Sequence, residues 1–337
     1  MTDLSVNYMG IKLKNPIIVG ACNLVTEIDN LKRMEEAGAA AIVYKSLFEE
    51  QIQLESLQMS EEMEEFTERN AEMISMFPDV EHAGPTEYLM ELKKARDSVS
   101  IPMFASLNAI EMETWEEYAK KIEEVGVAGI ELNLYYVPSD FEIMGKAIVS
   151  EQLDILSAVR KAVKIPIAVK LSPYYTNPLY VIKEMDKLGV NAFVLFNRLF
   201  QPEIDIDREE LHFPYNLSNS DDNRFPLRVA GMLYNNINAN ICSSRGVFTG
   251  EDVVAMILAG ADCVQVVSTL YRNKIEQISA ILTDIERWMN NKGYKKLEDF
   301  RGKMSRKNIQ DPFAYRRAQY VDILMKSEQI FKKYPTI

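Results

Sequence analysis

The sequence holds only three cysteines, Cys22, Cys242 and Cys263, with no C-x-x-C pair. Neither a disulfide framework nor a cysteine-built metal or iron–sulfur site is therefore expected. Cys22 and Cys263 sit in or beside apolar runs, as buried free thiols do. No apolar run approaches the ~18 residues that a membrane span needs. The opening M-T-D-L-S-V-N-Y lacks a basic stretch leading into an apolar one, so no signal peptide is expected either. Basic charge is in deficit, with 38 Lys and Arg against 50 Asp and Glu, a net charge of −12. That balance argues against nucleic acid or an anionic membrane as a main partner. A cytoplasmic protein without metal is the expectation. There is no internal repeat, no low-complexity linker, and no G-x-G-x-x-G after the first apolar run, where a dinucleotide fold would want one.

What is present is a large apolar fraction, 47% of 337 residues, enough for a sizeable core. It is dealt out rhythmically. Asn15–Cys22 reads as a short buried strand, and Thr26 is placed to cap the helix after it. Further strands are expected at Ala40–Lys45, Ile101–Leu107, Ile130–Leu134, the segment K-I-P-I-A-V-K-L ending at Leu171, Asn191–Asn197, Ala239–Ser244 and Cys263–Ser268. Helical spacing follows at Thr86–Asp97, Met112–Val125, Glu151–Val163, Asn177–Leu188, Leu227–Asn236, Glu251–Ala259 and Lys274–Asn290. Strand–helix alternation favours parallel strands. Eight strand candidates make a (β/α)8 barrel the simplest closure, with a doubly wound open sheet as the alternative. Residues 1–302 are assigned to the barrel. Residues 47–97 form an inserted excursion placed to act as a lid, Arg198–Pro226 a polar loop, and 303–337 a charged helical tail.

Several strands carry one polar residue near their C-terminal end, the arrangement by which a barrel aims side chains into one site at its mouth. Lys45, Asn133, Lys170 and Asn197 form one such set. Two amines and two amides around one mouth suit a planar heterocycle such as an isoalloxazine ring, whose reduced form a lysine can stabilise. Ser243–Val247 and Val267–Leu270 follow the last two strands, where barrels often bind phosphate through backbone N–H groups. A Schiff-base lysine at Lys170, as in an aldolase, is the rival chemistry.

At these residues the chain resembles the FMN-dependent dihydroorotate dehydrogenase family. The resemblance runs from about Leu4 to Gly302 through N-P-I-I-V-G-A, Y-K-S, E-L-N-L, V-K-L-S-P-Y-Y, R-G-V-F-T-G-E-D and L-E-D-F-R-G-K. It implies an FMN barrel that oxidises dihydroorotate to orotate in pyrimidine biosynthesis, cytosolic and homodimeric as in the soluble class. Flavin contacts are implied at Ala21, Lys45, Ser46, Asn133, Lys170 and Asn197, with Asn108 as a further candidate. Phosphate contacts are implied at Ser244, Gly246, Ser268 and Thr269.

The chain also departs from the family. The fourth strand ends N-L-Y-Y-V-P in place of N-L-S-C-P-N, so Tyr136 stands where the proton-abstracting Cys or Ser is expected, and Pro138 where a substrate-holding Asn is expected. The family's N-S-M-G loop aligns near Met73–Phe77, without its Asn. Arg245 replaces a phosphate-loop Gly, and Arg198 replaces a small hydroxyl residue beside Asn197. The leading reading is a flavin oxidoreductase acting on a C–C bond of a small anionic molecule. Tyr136 and Lys45 are its catalytic candidates, and Asn133, Asn197 and Arg198 hold the substrate. Its electron acceptor is not named by the sequence. A flavin-binding barrel with a different substrate or a scaffold role, and a flavin-free lysine aldolase, remain open as alternatives.

Overall fold

A computed structural model describes residues 2–50, 52, 85–134, 136–137, 140–198, 202–212 and 217–311, with the isolated positions 315, 316, 321, 324 and 325. The chain opens with an antiparallel hairpin, β1 (Val6–Tyr8) and β2 (Ile11–Leu13). Then come β3 (Ile17–Val19), α1 (Ile28–Glu36), β4 (Ala41–Val43) and β5 (Leu47–Phe48). After the inserted stretch, α2 (Thr86–Asp97), β6 (Met103–Asn108), α3 (Met112–Val125), β7 (Gly129–Leu134), α4 (Gly145–Ala162), β8 (Ile167–Leu171), α5 (Pro178–Lys187) and β9 (Ala192–Leu195) alternate. A hairpin, β10 (Glu203–Asp205) and β11 (Glu210–His212), precedes α6 (Arg224–Leu233), β12 (Asn240–Ser244), α7 (Gly250–Ala259) and β13 (Cys263–Val266). Helices α8 (Ser268–Asn273) and α9 (Gln277–Lys292) follow.

Strands β3, β4, β6, β7, β8, β9, β12 and β13 pair in parallel in that circular order. The ring closes because β3 bonds to both β4 and β13, with Ile18 opposite Ala41 and Gln265 opposite Ile18. That closure excludes the doubly wound sheet, which keeps two free edges. The staves are covered on both sides, so they read as continuous apolar runs: Ile17, Ile18, Val19, Phe193, Val194 and Leu195 are all 0% exposed. The N-terminal hairpin plugs the barrel's bottom. Tyr8 is buried edge-on against Phe104 at 6.0 Å, and Met9 N–H donates to Asn240 Oδ1 at 2.9 Å.

The outer helices follow their sequence signals, with shifts at their ends. In α3 the buried Trp115, Tyr118, Ala119 and Ile122 make one apolar stripe, and Gly126 ends the helix at φ +83°. Asn177 caps α5 by accepting from Tyr180 N–H, ahead of Pro178. Thr26 does not cap α1. It ends a 3-10 turn, Asn23–Thr26, and its hydroxyl donates to Asn23 O at 2.9 Å, so Glu27 precedes the helix instead. Helix α4 begins at Gly145, six residues ahead of the expected Glu151. The stretch expected as a plain polar loop, Arg198–Pro226, holds the exposed β10–β11 hairpin and a 3-10 turn, Ser220–Asn223.

The second stave is interrupted. Strand β4 gives way after Val43 and pairing with β6 resumes at β5. Glu49, just beyond, is buried and accepts from Ile110 N–H at 2.6 Å, Glu111 N–H at 3.1 Å and Thr114 Oγ1 at 3.2 Å. It thus docks the start of the insertion against the N-terminus of α3. Residues 53–84, which include Met73–Phe77 and most of the excursion expected as a lid, lie outside the described residues. Residues 303–311 run as turns, and most of the remaining tail also lies outside the described residues. Among the described residues no helix is long and apolar enough to cross a membrane.

The segment L-E-D-F-R fastens the last part of the chain to the barrel. Arg301 pairs with Asp262, which is 5% exposed and also accepts from Ile241 N–H at 2.7 Å. Burial pushes the Asp262 carboxyl up, and the Arg301 guanidinium opposes that shift. Replacing Arg301 by Ala would leave a buried carboxyl without its cation. The expected loss is about 3 kcal/mol of unfolding free energy, read from denaturant midpoints. An unchanged midpoint would show that this pair does not hold the C-terminal segment in place.

Candidate functional site

The C-terminal mouth of the barrel opens into a cavity of about 400 Å³, within the ~300–1,000 Å³ range of cofactor and small-molecule sites. Its wall is built where the staves end. Strand β3 runs through Gly20 into Ala21, and the break between β4 and β5 presents Lys45 and Ser46. Strand β7 contributes Asn133, β8 Lys170, and the chain after β9 Asn197 and Arg198. Ser244, Arg245 and Gly246 come from the end of β12, and Ser268 from the start of α8, just after β13. Ten sequence-predicted residues thus meet at one mouth: Ala21, Lys45, Ser46, Asn133, Lys170, Asn197, Arg198, Ser244, Gly246 and Ser268.

Three predicted residues are not brought there. Asn108 is buried on β6 opposite Phe48, covered by the resumed stave β5. Thr269 is 0% exposed and its hydroxyl reaches Phe248 O at 3.4 Å. Tyr136 is half-buried beyond the end of β7 and does not line the cavity. Tyr135 and Pro138 lie outside the described residues.

Register explains the floor of the site. Asn133 and Lys170 face each other across β7 and β8. Glu131, two residues before Asn133, points to the same side of its strand. Its carboxylate accepts from Lys170 Nζ at 3.2 Å and from Gln265 Nε2, and Lys170 Nζ also reaches Gln265 Oε1 at 3.3 Å. Glu131 and Gln265 are 2% and 3% exposed. Three staves are therefore tied inside the barrel by one closed polar triangle. One layer above, Asn197 Nδ2 donates to Asn133 Oδ1 at 2.8 Å, leaving the second amide group of each for a ligand.

Lys45 is set differently. Its carbonyl accepts from the hydroxyl of half-buried Tyr88 at 2.8 Å, which anchors its backbone to α2, and Ser46 Oγ contacts Ser106 Oγ at 2.6 Å. Among the described residues no carboxylate pairs with the Lys45 ammonium. Cys22 also lines the wall, but burial pushes its thiol up, so it is a poor base at neutral pH.

The opposite end of the cavity is rich in small donors. Ser218 donates its N–H and its hydroxyl to Ser268 Oγ at 3.0 and 2.7 Å, and Gly246 N–H lies 3.4 Å from Ser218 Oγ. Gly246 stands at φ +67°, and a Cβ there would come within 2.4 Å of Asn223 N, so only glycine fits. Beside it Asp222 bridges two arginines, with Arg198 Nη1 at 2.5 Å and Arg245 Nη2 at 3.4 Å. Burial opposes ionisation of Asp222. The Asn219 N–H and the two guanidinium groups outweigh it and hold the carboxyl below its ordinary range.

Glu131, Gln265, Ser218 and Asp222 were not legible as site residues. Glu131 shares the parity of Asn133, and Gln265 is the lone polar residue of C-V-Q-V-V, but neither shows its partner in sequence. Ser218 and Asp222 sit in the loop after the hairpin, 24 residues from Arg198 in the case of Asp222.

A closed parallel barrel with a cationic, amide-lined cavity at its C-terminal mouth defines a small-molecule enzyme of the (β/α)8 class. The comparisons with known proteins narrow this. Residues 3–289 match the family model described as dihydroorotate dehydrogenase. The chain belongs to that family and is an oxidoreductase of the class acting on CH–CH groups. It is 28% identical over 281 residues to the dihydroorotate dehydrogenase B (NAD(+)) catalytic subunit of Methanocaldococcus jannaschii, covering 80% of this chain and 87% of that one. The corresponding subunit of Thermoplasma volcanium is 26% identical, over 90% of this chain and 98% of its own. A putative dihydroorotate dehydrogenase A (fumarate) of Aeropyrum pernix is 24% identical, over 89% and 97%.

The Asp222 bridge has a definite pH signature. Its folded-state pKa lies below the unfolded value of about 3.9. Its contribution to stability is whole above that value and is lost as pH falls through the lowered native one. Asp222→Asn should therefore unfold more easily than the parent near neutrality, and the two should converge only in strong acid. Convergence already at about pH 6, well above the carboxylate range, would mean that another group controls the loop.

Proposed function

We propose that the cavity holds flavin mononucleotide, its ring system over the Asn133–Lys170 floor and its phosphate among Ser218, Ser244, Gly246 and Ser268. The proposed reaction is the oxidation of dihydroorotate, or of a close anionic relative, to the corresponding conjugated product. The observation that carries this reading is the charge of the cavity. Lys45, Lys170, Arg198 and Arg245 line it, and the carboxylates that answer them are Glu131 and Asp222. Among the described residues four cations thus gather at one mouth with two carboxylates beside them, in a chain whose net charge is −12. A phosphate-bearing cofactor and a carboxylate substrate are what such a site can neutralise.

When bound, the flavin supplies a two-electron hydride acceptor. The chain's own residues then have separable tasks. Lys170, held by Glu131 and Gln265, would present the flavin with a fixed positive charge that need not be reoriented. Asn133 and Asn197 offer one donor and one acceptor group at a fixed spacing and so orient a planar ligand. Lys45 and Arg198 are the cations placed to grip an acid substrate. Tyr136 is assigned no proton-transfer step, because it does not line the cavity. The aldolase alternative needs a free amine at Lys170, whereas this nitrogen is engaged by a carboxylate and an amide oxygen. The electrons are proposed to pass to a separate subunit that carries its own redox centres, the arrangement implied by the catalytic-subunit relatives. A homodimer in the cytoplasm completes the proposal, and sedimentation tests the dimer.

Purified protein should be yellow, and dihydroorotate added without oxygen should bleach it. A flavin that dihydroorotate leaves oxidised would overturn the substrate and keep the cofactor. A colourless chain that takes up no FMN would overturn both. Lys170→Met should slow flavin reduction by about 10²-fold, the usual cost of losing one preorganised charge, as read by stopped-flow absorbance. An unchanged rate would remove Lys170 from the proposal.

A further inference from the structure

Among the described residues one arginine is held in a left-handed backbone conformation, and it stands in the wall of this cavity. Arg245 has φ +79° and is followed by Gly246 at φ +67°. A side chain in that region is strained, and a glycine would occupy it without cost. Strain retained at a site wall points to a use for the side chain. The surroundings indicate which use. Arg245 lies between Ser244 and Gly246, and all three line the cavity together with Ser218 and Ser268. Its Nη2 meets Asp222 Oδ1 at 3.4 Å, while its Nε is buried with no hydrogen-bond partner. A buried guanidinium N–H without an acceptor is costly, and a ligand oxygen would relieve it. Asp222 divides one negative charge between two guanidinium groups, so its contact at 3.4 Å does not by itself neutralise Arg245.

We propose that Arg245 is a phosphate anchor: oriented by Asp222, it takes the phosphate monoester of the bound cofactor at the loop after β12. The inference rests on the flavin reading above and deepens it. In many barrels the loops after the seventh and eighth strands hold phosphate mainly by backbone N–H groups. Here β12 and β13 are those strands, and one of their loops adds a fixed cation. Arg245 accordingly discriminates a phosphorylated cofactor from its unphosphorylated form. It does not set affinity for the ring.

The test compares FMN with riboflavin, which lacks the phosphate, on the full chain stripped of flavin. Dissociation constants are read from quenching of flavin fluorescence for the parent, Arg245→Gly and Arg245→Lys. In Arg245→Gly the FMN affinity should fall about tenfold, as for loss of one charge-assisted contact, with riboflavin within about twofold. Its melting temperature should stay close to the parent's, because relief of the left-handed backbone offsets the lost Asp222 contact, so misfolding does not imitate the result. Arg245→Lys should recover only part of the FMN preference, since it restores the charge but not the Nε–H donor. Equal loss for both flavins, or no loss for either, overturns the phosphate anchor and leaves the flavin site standing. A parent chain that binds neither flavin overturns the functional reading and this inference together.

Discussion

The site depends on one buried interaction, the triangle of Glu131, Lys170 and Gln265. It lies in the barrel interior between three staves, β7, β8 and β13, with Glu131 and Gln265 almost wholly removed from water. Placing a carboxylate and an ammonium there carries a desolvation cost of several kcal/mol per ion, which their attraction offsets only if geometry is good and the remaining lone pairs are used. Gln265 meets that condition by donating to Glu131 and accepting from Lys170. The triangle therefore has no spare member. Removing any one of them strands a buried polar group, whereas an apolar trio of the same volume would pack without penalty. A barrel interior usually is such an apolar packing. That this one is not argues that the charge at Lys170 serves what lies above it rather than the fold.

The layering above the triangle follows from the strand period of two. Glu131 and Asn133 share a face, Asn133 is opposite Lys170, and Asn197 reaches Asn133 from the end of the next stave but one. The amide pair lies closer to the mouth than Glu131, so polar groups continue from the barrel interior out to the cavity. The same logic sets the bottom. There the hairpin residues Tyr8 and Met9 close the end opposite the cavity. One end is sealed by apolar packing and the other is lined with donors, which gives the barrel a single working face.

Most of this frame was legible in the sequence because staves buried on both faces are unbroken apolar runs, and a lone polar residue in such a run stands out. Lys170 and Asn133 were visible for that reason. The eight staves came within two or three residues of their observed limits, since strand ends fall where the apolar run meets a polar or small residue. What was hidden had physical causes. Thr26 has the composition of a cap, but its hydroxyl is used by a carbonyl three residues back. Glu49 looks like the start of an acidic solvated stretch, yet it is buried because three donors of the α3 terminus converge on it. Asp222 is one of several acidic residues in a polar loop. Nothing local marks it as the one that meets two arginines from different staves. Tyr136 is the opposite case: its position in a motif suggested a catalytic role, but it follows the end of β7 and does not line the cavity.

The charge distribution ties these parts to function. A chain of net charge −12 should repel the anionic ligands that its cavity suits. At physiological ionic strength the screening length is about 8 Å, so a ligand inside the mouth responds to groups within that distance and hardly to the distant surface. Those groups are Lys45, Lys170, Arg198 and Arg245, partly answered by Glu131 and Asp222. The two carboxylates do more than reduce the total. Each holds its cations in a fixed direction, so that the field is in place before a ligand arrives and need not be reorganised when it does. The family frame and the departures from it then divide by position. The residues that hold the floor come from stave interiors, where packing fixes them. The two arginines come from the ends of staves, where a change of side chain alters what is bound without disturbing the barrel. Such ends are where a family can change what it binds and keep its barrel, and Arg198 and Arg245 are departures of that kind.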